Sequence, residues 1–149
     1  MASWQEIVEQ APELATAARE RFAVRKHCTM ATLRADGSPR ISGTEVQFAD
    51  GQLWIGSMPR ALKALDLRRD PRVALHSPTV DPTEDDPSAW PGEAKLAGRA
   101  VEVGSDDPAD TSHRFRIDIA ELVLTRVSGD ALLIRSWHTG RGLQERVRR

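Results

Sequence analysis

Ser57, Arg60 and Lys63 stand at three-residue spacing inside the segment LWIGSMPRALKALDLRRDPRVALHS, residues 53–77. The segment reads as a strand (Leu53 to Gly56) that breaks at Ser57-Met58-Pro59 into a short basic helix. That helix stops at Asp70-Pro71 and feeds a second strand, Arg72 to Leu75. On this reading Ser57, Arg60 and Lys63 occupy the start and first turn of the helix, with Arg60 and Lys63 on one face. Unpaired N–H groups at a helix start, joined by a hydroxyl and two cations, make an anion site, most often for phosphate. The plainer alternative makes Arg60 and Lys63 solvated charges on an amphipathic helix whose Leu62 and Leu65 face the core. Arg68 and Arg69 fall in the last turn, where they suit the helix macrodipole.

A second set of polar residues precedes this segment. Arg40, Ser42 and Thr44 alternate along a predicted strand and share one face, opposite Ile41, Gly43 and Glu45. Gly43 in mid-strand indicates a bulge or a close approach to the backbone. In a sheet built of hairpins this strand neighbours the one ending at Ser57. The four histidines (27, 76, 113 and 138) show no metal-ligand spacing, and Cys28, the only cysteine, has no partner ligand nearby. No GxSxG occurs, and Cys28 precedes an apolar strand, so it reads as a core residue rather than a nucleophile. Trp54 and Trp137 lie within or at the end of strands, where packing is the default role. An anion site without an acid–base constellation suits a bound redox cofactor, because such a group needs binding and orientation more than side-chain chemistry.

The elements around these residues are short. Residues 1–22 form an N-terminal helical segment, with Ser3 and Glu6 as a capping box and Pro12 as a kink or break. Cys28 to Leu33, Ile41 to Phe48 and Leu53 to Gly56 predict a three-strand meander, with Asp36-Gly37 and Asp50-Gly51 as hairpin turns. Residues 78–93 are proline-rich and acidic and predict a surface loop. Lys95 to Val103, Phe115 to Val127 and Ala131 to Trp137 predict further strands, Asp107 to His113 a short helical turn, and the end RGLQERVRR a polar tail. Six or seven strands joined mostly by hairpins imply a mainly β fold, an antiparallel barrel or strongly curled sheet, in one domain over 1–149. The net charge of −1 provides no field for nucleic acid, and no apolar run is long enough for a membrane span. The N-terminus lacks the apolar core of a signal peptide, and a lone cysteine fits a reducing cytoplasm.

The patterns ATLRADGSPRISGTEVQF and LWIGSMPRALKALDLRRDPRVALHS, with SWHTGRGL near the end, resemble the pyridoxamine 5'-phosphate oxidase-like proteins, nearest the actinobacterial flavin/deazaflavin oxidoreductases. The resemblance runs over residues 24–142. It implies a six-stranded antiparallel split β-barrel of the FMN-binding type, a homodimer with two sites at its interface, and FMN or coenzyme F420 as cofactor. Lys63 matches the phosphate-binding lysine, with Arg60, Ser57 and Met58 flanking it. The strand holding Arg40, Ile41 and Ser42 matches the one that lines the flavin ring, and Trp137 lies in the C-terminal segment that approaches the site. The implied activity is hydride transfer to a small organic acceptor. The alternative is non-catalytic binding, storage or sensing of a flavin, F420 or haem on the same fold. The residues with which the true oxidase binds pyridoxal phosphate are not matched, which implies a different substrate.

Overall fold

The computed structural model describes residues 1–149. Three α-helices, α1 (Trp4–Gln10), α2 (Pro12–Ala23) and α3 (Leu62–Arg69), accompany nine strands. The strands are β1 (Cys28–Leu33), β2 (Pro39–Thr44), β3 (Val46–Ala49), β4 (Gln52–Ser57), β5 (Arg72–His76), β6 (Glu93–Glu102), β7 (His113–Ser128), β8 (Ala131–His138) and β9 (Gly142–Arg148). All pair antiparallel, in the order β2-β1-β5-β6-β7-β4-β3, with β8 on β7 and β9 on β8. No helix is long and apolar enough to cross a membrane.

The sequence explains several of these boundaries. Ser3 Oγ accepts from Glu6 N–H at 3.2 Å while the Glu6 carboxylate accepts from Ser3 N–H at 2.9 Å, which starts α1. Pro12 has no N–H to continue that helix but suits a first helical position, so the chain splits into α1 and α2 around Ala11. Asp50 and Gly51 adopt φ of 53° and 72°, the left-handed pair that a two-residue hairpin turn requires between β3 and β4.

Five expectations are corrected. The strand predicted over Ile41 to Phe48 is two strands, β2 and β3, separated at Glu45. There is no meander: β2 pairs with β1, whereas β3 pairs with β4, which continues onto β7. The barrel is not a closed six-stranded one, since β2 and β3, adjacent in sequence, stand at opposite ends of the hydrogen-bonded path and leave a seam between them. Residues 107–110 form a turn rather than a helix, with Asp110 N–H donating to Asp107 O at 3.0 Å, and the polar tail is strand β9.

The sheet curls because β7 serves two neighbourhoods. Its first residues pair with β4 and its last eight with β8, while β6 runs along its other side. A bulge opposite Ala97 and Gly98 changes the register between these halves. Gly98 is required there, because a Cβ would overlap the Asp118 carbonyl. Inside the curl, α1 and α2 bring Trp4, Ile7, Leu14, Ala18 and Phe22 against Leu53, Leu96, Ile117 and Leu122 in one core. Cys28 belongs to it, and burial pushes its thiol up to about 11.

Candidate functional site

The seam opens into a groove of about 820 Å³, lined on one side by Gly43 to Gln47 and on the other by Trp54 to Met58, Lys63 and Ser112 to Arg114. This volume lies within the roughly 300–1,000 Å³ typical of small-molecule sites. The strands thus supply the groove through their own topology: the place where hydrogen bonding between β2 and β3 fails is the place where α3 begins.

Ser57 closes β4, and Met58, Pro59 and Arg60 form the turn before α3. Contrary to the sequence expectation, Ser57 and Arg60 are not on the helix, and only Lys63 lies in its first turn. Arg60 adopts φ of 60°, a left-handed conformation uncommon for a residue other than glycine, with its guanidinium exposed and unpaired. Ser57 Oγ is buried and has no hydrogen-bond partner. α3 starts at Ala61, whose side chain cannot cap, so its first N–H groups lack a side-chain acceptor. Lys63 Nζ donates to Gly43 O at 2.9 Å across the seam and meets no carboxylate. A buried orphan hydroxyl, an uncapped helix start and an ammonium without an anion form a donor set that lacks an acceptor. That chemistry fits a phosphate.

Lys63 and Ser57, with Met58, line the groove. Five other predicted residues do not, Arg60 in the turn among them. Arg40 turns to α3, where its Nε donates to Asp66 Oδ2 at 2.7 Å. Ile41 projects outward and is 75% exposed, and Ser42 is half-buried away from the groove. Trp137 is a core residue of its own chain, its Nε1 donating to Gln10 Oε1 at 2.9 Å. The proximity of β2 to the helix start survives by another route, through Gly43 O rather than the alternating side chains. Gly43 itself sits in regular register opposite Thr29, without a bulge.

α3 is anchored by a residue that the sequence did not single out. Leu62 and Leu65 are exposed, whereas Ala64, Asp66 and Leu67 are buried. The Asp66 carboxylate accepts from Thr32 Oγ1 at 2.8 Å, Arg40 Nε at 2.7 Å and Arg69 Nη2 at 3.0 Å. Burial pushes the Asp66 carboxyl upward, but the bonds from Arg40, Thr32 and Arg69 outweigh it and hold it below the usual carboxylate range. Arg69 also donates to Leu33 O at 2.8 Å, and Arg68 grips Glu102 through two bonds of 2.6 and 2.7 Å, so neither arginine serves the helix dipole alone.

Two further groups at the groove were not singled out from sequence. The Arg114 guanidinium lies 3.7 Å from the ring centre of Trp54, which is half-buried on the groove wall. His113 is buried directly across the β4–β7 ladder from Ser57. Its Nδ1 meets Glu102 Oε1 at 3.1 Å and its Nε2 accepts the Arg60 backbone N–H at 3.0 Å. The acceptor role at Nε2 places the ring proton on Nδ1, donating to Glu102. Bonds from Arg68, then from His113, draw the Glu102 carboxyl down to about 2 against the effect of burial.

A curled antiparallel sheet with an anion-ready groove at its seam defines a class, and comparison with known proteins gives it a family. Residues 14–130 match the family model described as "Pyridoxamine 5'-phosphate oxidase", and the chain belongs to that family. Comparison with curated proteins finds no matching sequence. Among solved structures, the chain is similar to a pyridoxamine 5'-phosphate oxidase-related, FMN-binding protein from Nostoc punctiforme, with a TM-score of 0.66 and 11% identity over 93% of this chain and 96% of that one. It is similar to HutZ, the haem storage protein from Vibrio cholerae, with a TM-score of 0.57 and 16% identity over 77% and 94%. A structure named F420 reductase aligns with a TM-score of 0.51 and 15% identity over 70% and 94%. At such identities the likeness is one of fold.

Proposed function

We propose that the chain binds coenzyme F420 or FMN through its phosphate and acts as an oxidoreductase on a small organic acceptor. One observation carries the reading: Ser57 Oγ, buried without a partner, stands in one groove with the Lys63 ammonium and the uncapped start of α3. Lys63 pairs with the phosphate charge, the Ser57 hydroxyl donates to a phosphate oxygen, and the first N–H groups of α3 complete the cradle. Trp54, Val46 and Ile55 offer apolar surface on the same groove for a flat ring. When bound, the cofactor supplies hydride transfer, and the protein's part is to hold, orient and shield it. The deazaflavin is preferred to FMN, because the sequence resemblance is nearest to proteins that use it.

A homodimer with sites at its interface accompanies this reading. Met58, Leu62 and Ile41 are 81%, 60% and 75% exposed, apolar surface that a second copy would cover. In that arrangement Ile41 and Ser42 serve a site through the dimer rather than within one chain.

Titration of the purified protein with FMN and with F420 tests the cofactor assignment, and tight FMN binding without F420 binding would reverse the preference. Lys63→Ala should weaken the bound cofactor by about 1.5–3 kcal/mol, as for a lost charge-assisted bond, with little loss of stability. Unchanged affinity in that variant removes the reading.

A second reading, non-catalytic storage or sensing of a flavin, F420 or haem, is favoured by His27, whose exposed imidazole lines the same groove. A Soret band that shifts in His27→Ala, together with no turnover of electron acceptors by reduced cofactor, would establish it.

A further inference from the structure

The buried group that the cofactor reading leaves without a task is His113. It lies at the first position of β7, opposite Ser57, with a side chain only 6% exposed. Both ring nitrogens are engaged, and the two bonds join elements that are distant in sequence. Glu102, from β6, takes Nδ1 and is itself clamped by the two bonds from Arg68 of α3. Nε2 takes the N–H of Arg60, the one residue of the turn held at positive φ. The ring also lies over Phe115, with ring centroids 6.4 Å apart and planes at 20°. A left-handed arginine persists only where its surroundings impose it, and the His113 acceptor is the contact that does so.

We propose that His113 is a positioning residue of the anion site, holding the Met58–Ala61 turn through the Arg60 N–H so that Ser57 Oγ and Lys63 Nζ face one ligand phosphate. The inference rests on the cofactor reading given above and deepens it by naming what presets the cradle. The turn has no side-chain cap of its own, and Ala61 N–H returns only to Met58 O at 3.2 Å. Without the histidine acceptor, the Arg60 N–H would have to find water and the left-handed conformation would lose its support. The aim of the segment between Ser57 and Lys63 would then be set afresh at each binding event. Arg60 thereby contributes through its backbone, whatever its guanidinium does.

The contact also makes a chemical distinction. A neutral ring with its proton on Nδ1 accepts at Nε2, whereas a protonated ring carries donors on both nitrogens and faces the Arg60 N–H with another N–H. The charged groups around the ring are Glu102 of β6 and Arg68 of α3, with Arg60 in the turn and Arg114 next along β7.

Two isosteric variants separate the two bonds. In His113→Asn the amide reaches the Nδ1 position and keeps Glu102, but nothing reaches Arg60. In His113→Gln the amide oxygen reaches the Nε2 position and keeps an acceptor for Arg60. The readouts are the exchange rate of the Arg60 amide by NMR, the Kd for F420, for FMN and for inorganic phosphate, and the thermal midpoint. The expected result is a protected Arg60 amide in the wild type and in H113Q, fast exchange in H113N, and FMN binding about tenfold weaker in H113N but within about threefold of wild type in H113Q. In the wild type alone, the Arg60 amide should be protected from exchange, a test that needs no variant to fold. An Arg60 amide that exchanges freely in the wild type, or an H113N Kd equal to wild type beside a weakened K63A, overturns the role of His113 and leaves the anion site standing. Wild-type protein that takes up none of F420, FMN and phosphate overturns the site reading and this inference with it.

Discussion

Asp66→Asn is the perturbation that tests how the site is held. The carboxylate is 3% exposed and accepts three bonds, from Thr32, Arg40 and Arg69. The amide keeps the shape but replaces one acceptor by a donor and removes the charge that balances two guanidinium groups. Breaking a buried ion pair by deleting one partner costs about 3–5 kcal/mol. Arg40 retains 21% and Arg69 43% side-chain exposure, so water recovers part of that loss. The expected cost is about 2–4 kcal/mol, against a total stability on the order of 5–15 kcal/mol. Urea unfolding followed by tryptophan fluorescence measures it, as a midpoint lowered by about 1–2 M at unchanged slope.

The pH dependence makes the test stricter. The folded Asp66 carboxyl titrates below its ordinary value of 3.8, because the three bonds outweigh the upward push of burial. A group with a depressed folded pKa contributes stability that is fully present above its unfolded pKa and is lost as pH falls through the folded one. The D66N deficit should therefore be largest near neutrality and shrink below pH 3.8. Adding Arg40→Met to the variant should restore part of the loss, since the cation then no longer lies against α3 without its anion. A deficit under about 1 kcal/mol at neutral pH, or one that is undiminished in acid, would refute the claim that this carboxylate pins α3.

Glu102→Gln should lower stability by about 1–2 kcal/mol at neutral pH, the full shift being discounted because the carboxylate is 30% exposed. Its folded pKa of about 2 against 4.5 places the loss of that contribution in acid, as pH falls through about 2, measured by thermal midpoints across pH in both proteins. Gly98→Ala should cost more than about 2 kcal/mol or abolish folding, because the new Cβ meets backbone at Asp118 and cannot be relieved by a side-chain rotation; a midpoint equal to wild type would deny the bulge its role.

Local chemistry was legible wherever a residue dictates its own backbone. Pro12, the Ser3–Glu6 box and Asp50-Gly51 each specify a break, a cap or a turn from a few consecutive residues, and the structure has all three. β9 left no comparable mark: four of its seven residues are polar and six are exposed, so no alternation distinguishes an edge strand held by backbone pairing to β8 from a solvated tail. The burial of α3 was invisible for a different reason. Its leucines lie all around the helix, and which face turns inward is decided by Thr32 and Arg40, 34 and 26 positions away from Asp66. Choosing the leucines as the buried face follows hydrophobicity, but a carboxylate that satisfies two arginines and a threonine at once is the group turned inward, and the two leucines stay exposed.

The same division runs through the candidate site. Lys63 could be named from sequence because a cation in the first turn of a helix is a local pattern. What aims it is not local: Asp66 seats the helix on β1 and β2, and His113 reaches Arg60 across 53 positions. Ligand-contacting groups and the groups that preset them are therefore encoded at different ranges. Removing Lys63 should weaken a phosphate bond and little else. Removing Asp66 or His113 should weaken the same bond without touching the ligand. The three variants, compared for affinity and stability together, distinguish a cradle that is built in advance from one that the ligand assembles.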